Sequence, residues 1–82
     1  MTEWHQTFES VLTIGGSDSS GGAGIQADLK TFNRFGIHGA SVITCVTAQN
    51  SRGVSHIEAI SCDLICHQMR AVLGDLSVQA LK

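Results

Sequence analysis

The sequence predicts an α/β fold with a mostly parallel sheet. Three features carry this expectation. Short β-prone runs alternate with two helical periodicities. The run from Gly39 to Ala48 is almost continuous in small and β-branched residues, as in a strand covered on both faces. A cluster of glycines between Gly15 and Gly24 separates the first strand from the first helix.

Val11 to Ile14 reads as a buried strand ending at two glycines. Gly16 to Gly22 reads as a loop of small and polar residues. From Ala23 the period changes: Ile25, Leu29 and Phe32 fall on one helical face, and Gly36 is placed to end that helix. The strand Gly39 to Ala48 follows, then a turn over Asn50 to Gly53 and a short edge strand over Val54 to Ile60. Ser61 is a helix N-cap with Asp63 in the first turn, beside the positive end of the helix dipole. Ile65, Met69, Val72 and Leu76 mark the second apolar face, and Val78 to Leu81 begins another strand. A parallel strand that stops at Lys82 reads as cut off, because its apolar face and backbone groups expect cover.

Composition narrows the class. With 82 residues, 43% hydrophobic and 15% charged, the chain suits one small globular domain. A net charge of -2 with no basic patch gives no footprint for nucleic acid. The N-terminal residues carry neither a signal-peptide pattern nor a membrane span. Cys45, Cys62 and Cys66 make an odd count in a Leu-, Val- and Ile-rich chain, which points to a reducing compartment and a cytoplasmic location. Trp4, His5 and Phe8 lie in an expected N-terminal extension over residues 1–10, before a unit over 11–82.

The glycine-rich loop admits several chemistries. A P-loop needs Lys followed by Ser or Thr after its last glycine, and Gly24 is followed by Ile25 and Gln26. Gly22 to Ala27 fits the short dinucleotide fingerprint G-x-G-x-x-A, but the next strand ends Ala48-Gln49-Asn50, without the acid that holds a ribose. Asp18 also puts a negative charge where a pyrophosphate would sit. A third reading is a wall for a small neutral substrate, with hydroxyls from Ser17, Ser19 and Ser20 and amides from the glycines. A tight strand-to-helix connection without a ligand is the fourth. Cys62, Cys66 and His67, with Cys45 or His56, lack the tight C-x2-C pairs of zinc sites, and no metal site is expected.

The run from Val11 to Phe32, VLTIGGSDSSGGAGIQADLKTF, resembles the opening of the hydroxymethylpyrimidine/phosphomethylpyrimidine kinases. The block from Gly39 to Val54, GASVITCVTAQNSRGV, resembles the same family, and the stretch from Gln68 to Lys82 does so less sharply. The resemblance implies a ribokinase-like, three-layer α/β/α fold of which this chain is the N-terminal, substrate-binding part. It implies phosphorylation of 4-amino-5-hydroxymethyl-2-methylpyrimidine and of its monophosphate in thiamine biosynthesis, with ATP and Mg2+, by an enzyme that is a homo-oligomer at full length.

Three substrate-binding positions carry over. Gln49 matches the glutamine that reads the pyrimidine, and its amide offers the donor and acceptor that an aminopyrimidine edge needs. Gly16 matches a glycine whose backbone lies against the substrate, where a side chain would occupy the space of the ring. Asp28 matches an acidic position facing the substrate. Gly15 and Ser19 depart from the family, which favours alanine and proline there. Catalytic residues and most ATP contacts are expected beyond Lys82, so none is assigned here and the 82-residue chain alone is expected to be inactive. A pyridoxal-type vitamin kinase fragment and a non-catalytic truncated remnant are the alternatives.

Overall fold

The computed structural model describes residues 10–82. They form β1 (Ser10–Asp18), α1 (Gly24–Arg34), β2 (His38–Asn50), β3 (Gly53–Ala59), α2 (Cys62–Leu73) and β4 (Val78–Leu81). One four-stranded sheet results, in the order β3-β2-β1-β4. β1 pairs in parallel with β2 and β4, while β3 returns antiparallel along β2. The α/β class and the mostly parallel sheet are as expected. The N-terminal extension lies outside the described residues, except Ser10, which already pairs with His38 in β1.

β1 is longer than its apolar run. Its ladder with β2 continues through Gly15 and Gly16 to Asp18, with a register shift between the two glycines. Glycines weaken a strand, yet the ladder runs through both of them, and the extra residue at the shift is Thr44 of β2. The loop expected from Gly16 therefore begins only at Ser19.

α1 packs against β1 and β2. Ile25 is its buried residue. A Cβ at Gly39 would lie 2.7 Å from Phe32 and 2.9 Å from Leu29, so the glycine that opens β2 is the seat of the helix's apolar face. Gly36, at φ +71°, ends the helix, and the Ile37 amide returns to the Phe32 carbonyl at 3.0 Å. That six-to-one bond is the Schellman closure.

Side chains alternate across a strand. Thr13 reaches Asp28 of α1, so Leu12 lies on the other face of the sheet. Val42, two residues beyond the Ala40 partner of Leu12, shares that face, and both are fully buried. α2 packs on β2 there. Ser61 caps it as expected, accepting from the Leu64 amide at 3.1 Å. Ile65, Met69, Val72 and Leu76 are half-buried, as their spacing predicts, although Leu76 follows the helix end. β2 is less enclosed than expected. Only Val42 of its residues is fully buried, and from Cys45 onward the strand pairs with the wholly exposed β3. Among the described residues, no helix is long and apolar enough to cross a membrane.

Candidate substrate site

The bend between β1 and α1 is organised by Asp18. Asp18 as a whole is 4% exposed, and its carboxylate accepts from the Ser20 amide at 2.8 Å, the Ser20 hydroxyl at 2.7 Å and the Ala23 amide at 2.7 Å. Its carbonyl accepts from the Gly21 amide, and its own amide donates to Gln26 Oε1 at 2.9 Å. The Ser20 hydroxyl is the main influence holding this carboxyl below its ordinary 3.8, opposed by burial and aided by the amides of Ser20, Ala23 and Gly22. Asp18 is therefore the internal anion of the loop. It accounts for the negative charge that argued against a pyrophosphate.

This network corrects one expectation. One reading of the loop offers its amides and serine hydroxyls to a ligand, yet most are engaged within the fold. Ser20 is held by Asp18, Ser17 Oγ accepts from Gln26 Nε2 at 2.8 Å, and Ser19 Oγ is tied to the backbone of Gln49. A buried carboxylate must be satisfied by nearby donors, and the loop's own N–H groups are the nearest.

Two glycines fix the close approach of the bend to β1. Gly24 has φ +61°, and a Cβ there would strike the Gly16 carbonyl oxygen. At Gly16 a Cβ would lie 2.8 Å from Cys45 Sγ. A side chain at this position would therefore need Cys45 to shift. The backbone of Gly16 lines a cleft of about 110 Å³, together with Ser17, Asp18, Ala23, Gly24, Thr47 and Gln49.

Gln49 stands near the end of β2, half-buried. Thr47 Oγ1 lies 2.7 Å from Gln49 Oε1 and 2.8 Å from the Ser17 carbonyl. Gln49 also borders a shallower hollow of about 480 Å³ at the β2–β3 turn, which includes Ser19, Asn50, Arg52 and Val54. The larger hollow is open surface along the turn. The smaller cleft is where β1, the bend and β2 converge. Gln49 joins the two.

Asp28 lies elsewhere. Its carboxylate accepts from Thr13 Oγ1 at 2.6 Å and pairs with Lys82 Nζ at 2.9 Å, and it lines neither hollow. The Thr13 hydroxyl first, and Lys82 second, hold its carboxyl below the ordinary 3.8. It ties α1 to β1 and to the residue after β4. Cys62 and Cys66 are exposed on α2 and Cys45 is half-buried. No three His, Cys, Asp or Glu side chains among the described residues converge as metal ligands.

The family profile described as phosphomethylpyrimidine kinase matches residues 18–82, most of the chain and all of the cleft except Gly16 and Ser17. The chain belongs to the phosphomethylpyrimidine kinase family. A hydroxymethylpyrimidine/phosphomethylpyrimidine kinase of Rhizobium meliloti is 61% identical over 71 residues, which are 87% of this chain and 27% of the relative. The crystal structure of a Clostridium difficile phosphomethylpyrimidine kinase superposes with a TM-score of 0.86 at 53% identity, covering 89% of this chain and 32% of that one. An ADP complex of Bacillus subtilis pyridoxal kinase gives 0.80 at 38% identity, covering 92% and 30%. The chain thus spans about a quarter to a third of its phosphomethylpyrimidine kinase relatives, and over that part its fold is ribokinase-like.

The sequence alone passed over Asp18, Gln26 and Thr47 as site-builders. A signal for Gln26 and Asp18 was present: a strand-end acid eight residues before a first-turn glutamine can close a bend by side-chain bonds.

Proposed function

We propose that this chain forms the pyrimidine-holding wall of a kinase that phosphorylates 4-amino-5-hydroxymethyl-2-methylpyrimidine, and then its monophosphate, in thiamine biosynthesis. The supporting observation is the cleft that Gly16 and Gln49 share. Gln49 presents an amide to the amino group and adjacent ring nitrogen of the pyrimidine, while the backbone of Gly16 borders the ring. Asp28, which lines neither hollow, serves the substrate only indirectly in this reading, through the Thr13 and Lys82 contacts that fix α1 against the sheet.

Phosphoryl transfer needs positioning of the acceptor hydroxyl and neutralisation of phosphate charge. The residues of this chain serve the first need. ATP supplies the phosphoryl group and Mg2+ its charge compensation in the whole enzyme. The described residues offer no acidic set for the ion, since Asp18 is consumed by its loop and Asp28 by Thr13 and Lys82. The whole enzyme is a cytoplasmic homo-oligomer in this reading.

The test places this chain in a full-length context, in exchange for the matching segment of the Rhizobium meliloti kinase. Gln49→Ala lowers kcat/KM by about 1–3 kcal/mol of transition-state binding, the worth of one or two hydrogen bonds. An unchanged kcat/KM removes Gln49 from the site. The 82-residue polypeptide by itself gives no turnover with the pyrimidine, ATP and magnesium. Turnover above a blank would mean that the nucleotide site is built from these residues, or that the reading is wrong.

A pyridoxal-directed reading has its own support in the likeness to Bacillus subtilis pyridoxal kinase. Competition between pyrimidine and pyridoxal in the full-length hybrid separates the two. A non-catalytic remnant predicts binding of neither.

A further inference from the structure

We propose that Thr47 and Ser19 are positioning residues for Gln49: they fix its amide so that the cleft prefers a ring bearing an exocyclic amino group beside a ring nitrogen. The proposal rests on the substrate reading above and adds what sets its selectivity.

Ser19 holds the backbone. Its hydroxyl donates to the Gln49 carbonyl at 2.7 Å and accepts from the Gln49 amide at 2.8 Å. The β1–β2 ladder ends with Asp18 opposite Thr47. One step further, the Ser19 side chain makes the pair of bonds that another strand residue would make. On the other side, the β2–β3 ladder shifts register between Ala48 and Gln49, so that neighbour gives irregular support at this point. Without Ser19, the strand end carrying Gln49 loses its firmest tie.

Thr47 holds the side chain. Residues two apart in a strand share a face, and Thr47 Oγ1 sits between Gln49 Oε1, at 2.7 Å, and the Ser17 carbonyl, at 2.8 Å. A hydroxyl has one proton, and here it faces two oxygens. The carbonyl can only accept. Both contacts are satisfied when the Gln49 amide turns its nitrogen to Thr47. Nε2 then donates to Oγ1, and Oγ1 donates to Ser17. Which amide atom occupies which place follows from the bonding network and not from its shape. In that state Oε1 and the second N–H are left for the cleft, side by side. They match the N–H donor and ring-nitrogen acceptor of an aminopyrimidine edge. A glutamine free to rotate would lose rotamer freedom on binding and would accept either polarity of edge.

The experiment measures, in the same full-length hybrid, the affinity for the 4-aminopyrimidine and for its analogue with hydrogen in place of the amino group. The readout is the ratio of the two. Thr47→Val keeps the shape and removes the hydroxyl. Ser19→Ala removes the backbone tie. Each lowers the ratio by about fivefold, the worth of one hydrogen bond. Thr47→Ser and Ser19→Thr, which keep the hydroxyl, restore it. If Thr47→Val and Ser19→Ala weaken both ligands equally, or neither, the positioning role is overturned. Gln49→Ala separates this from the underlying reading. A ratio that survives Gln49→Ala refutes the substrate assignment itself; a ratio that collapses with Gln49→Ala but not with the other two refutes only the present proposal.

Discussion

Asp18 sits at the junction of β1 and the bend almost wholly out of solvent, and the neighbours of its carboxylate are donors. Replacing it with asparagine keeps the size but turns one acceptor atom into a donor. That atom then faces an N–H of the bend, and a buried donor is left without a partner. Asp18→Asn therefore lowers the melting midpoint at neutral pH. The pH dependence has a definite sign. The folded-state pKa lies below the ordinary 3.8, so the carboxylate's stabilisation is present above 3.8 and is lost as pH falls through the lowered value. The midpoints of the two proteins converge in strong acid. A gap that persists there would show that the charge of Asp18 is not what stabilises the bend. This residue also shows where sequence reading stops. Gly16 and Gln49 were legible as residue types: one permits a close backbone approach, the other carries a two-sided amide. The tie of Ser19 to Gln49 joins residues 30 apart and depends on the register of β1 against β2, which no local pattern encodes.

At the scale of elements, helix periods and caps were readable because they are local. Ile25, Leu29 and Phe32 define the face of α1, Gly36 ends it, and Ser61 opens α2. The boundaries of β1 were not readable, because Gly15 and Gly16 carry the usual signal of a strand end while the ladder runs on through them. Gln68 lies beside the apolar face of α2, and no local pattern marks its role. In the structure it accepts from the Ile43 amide at 2.8 Å and donates to the Ile43 carbonyl at 2.9 Å. The pairing of β2 with β3 stops at Cys45, so a side chain takes over as the partner of the strand edge. Gln68→Met keeps much of the volume but leaves an amide and a carbonyl unpaired under the helix. We expect a loss of about 1–3 kcal/mol, the cost of orphaning a part-buried polar group. Denaturant titration against wild type measures it. The amide of Ile43 should also exchange with solvent faster than that of Val42 in the same variant. Equal protection of both would mean that the helix, and not the glutamine, shields the edge.

For the whole molecule, the deciding quantity is the size of the core. Among the described residues, the buried hydrophobic side chains are Leu12, Ile25 and Val42, while Phe35, Ile57, Leu64, Leu73 and Leu81 are exposed. β4 pairs with β1 on one side, and among the described strands nothing pairs with its other edge. A soluble domain normally covers contiguous apolar surface and parallel strand edges, and the relatives that match this chain are about three times its length. The 82-residue polypeptide alone should therefore be only marginally stable, at or below the lower end of the usual range, about 5 kcal/mol. Leu12 gives a sharp test, because it is fully buried between β1 and the face that α2 covers. Truncating a buried leucine to alanine costs about 2–5 kcal/mol, which is comparable with the whole stability expected here. Leu12→Ala should accordingly abolish cooperative thermal unfolding in the isolated polypeptide, as followed by far-ultraviolet circular dichroism. In the full-length hybrid, where the same sheet belongs to a larger core, the same change should only lower the melting temperature. A cooperative transition retained in the isolated Leu12→Ala protein would mean that three buried side chains and the Asp18 network hold this fold more firmly than the count of its core allows.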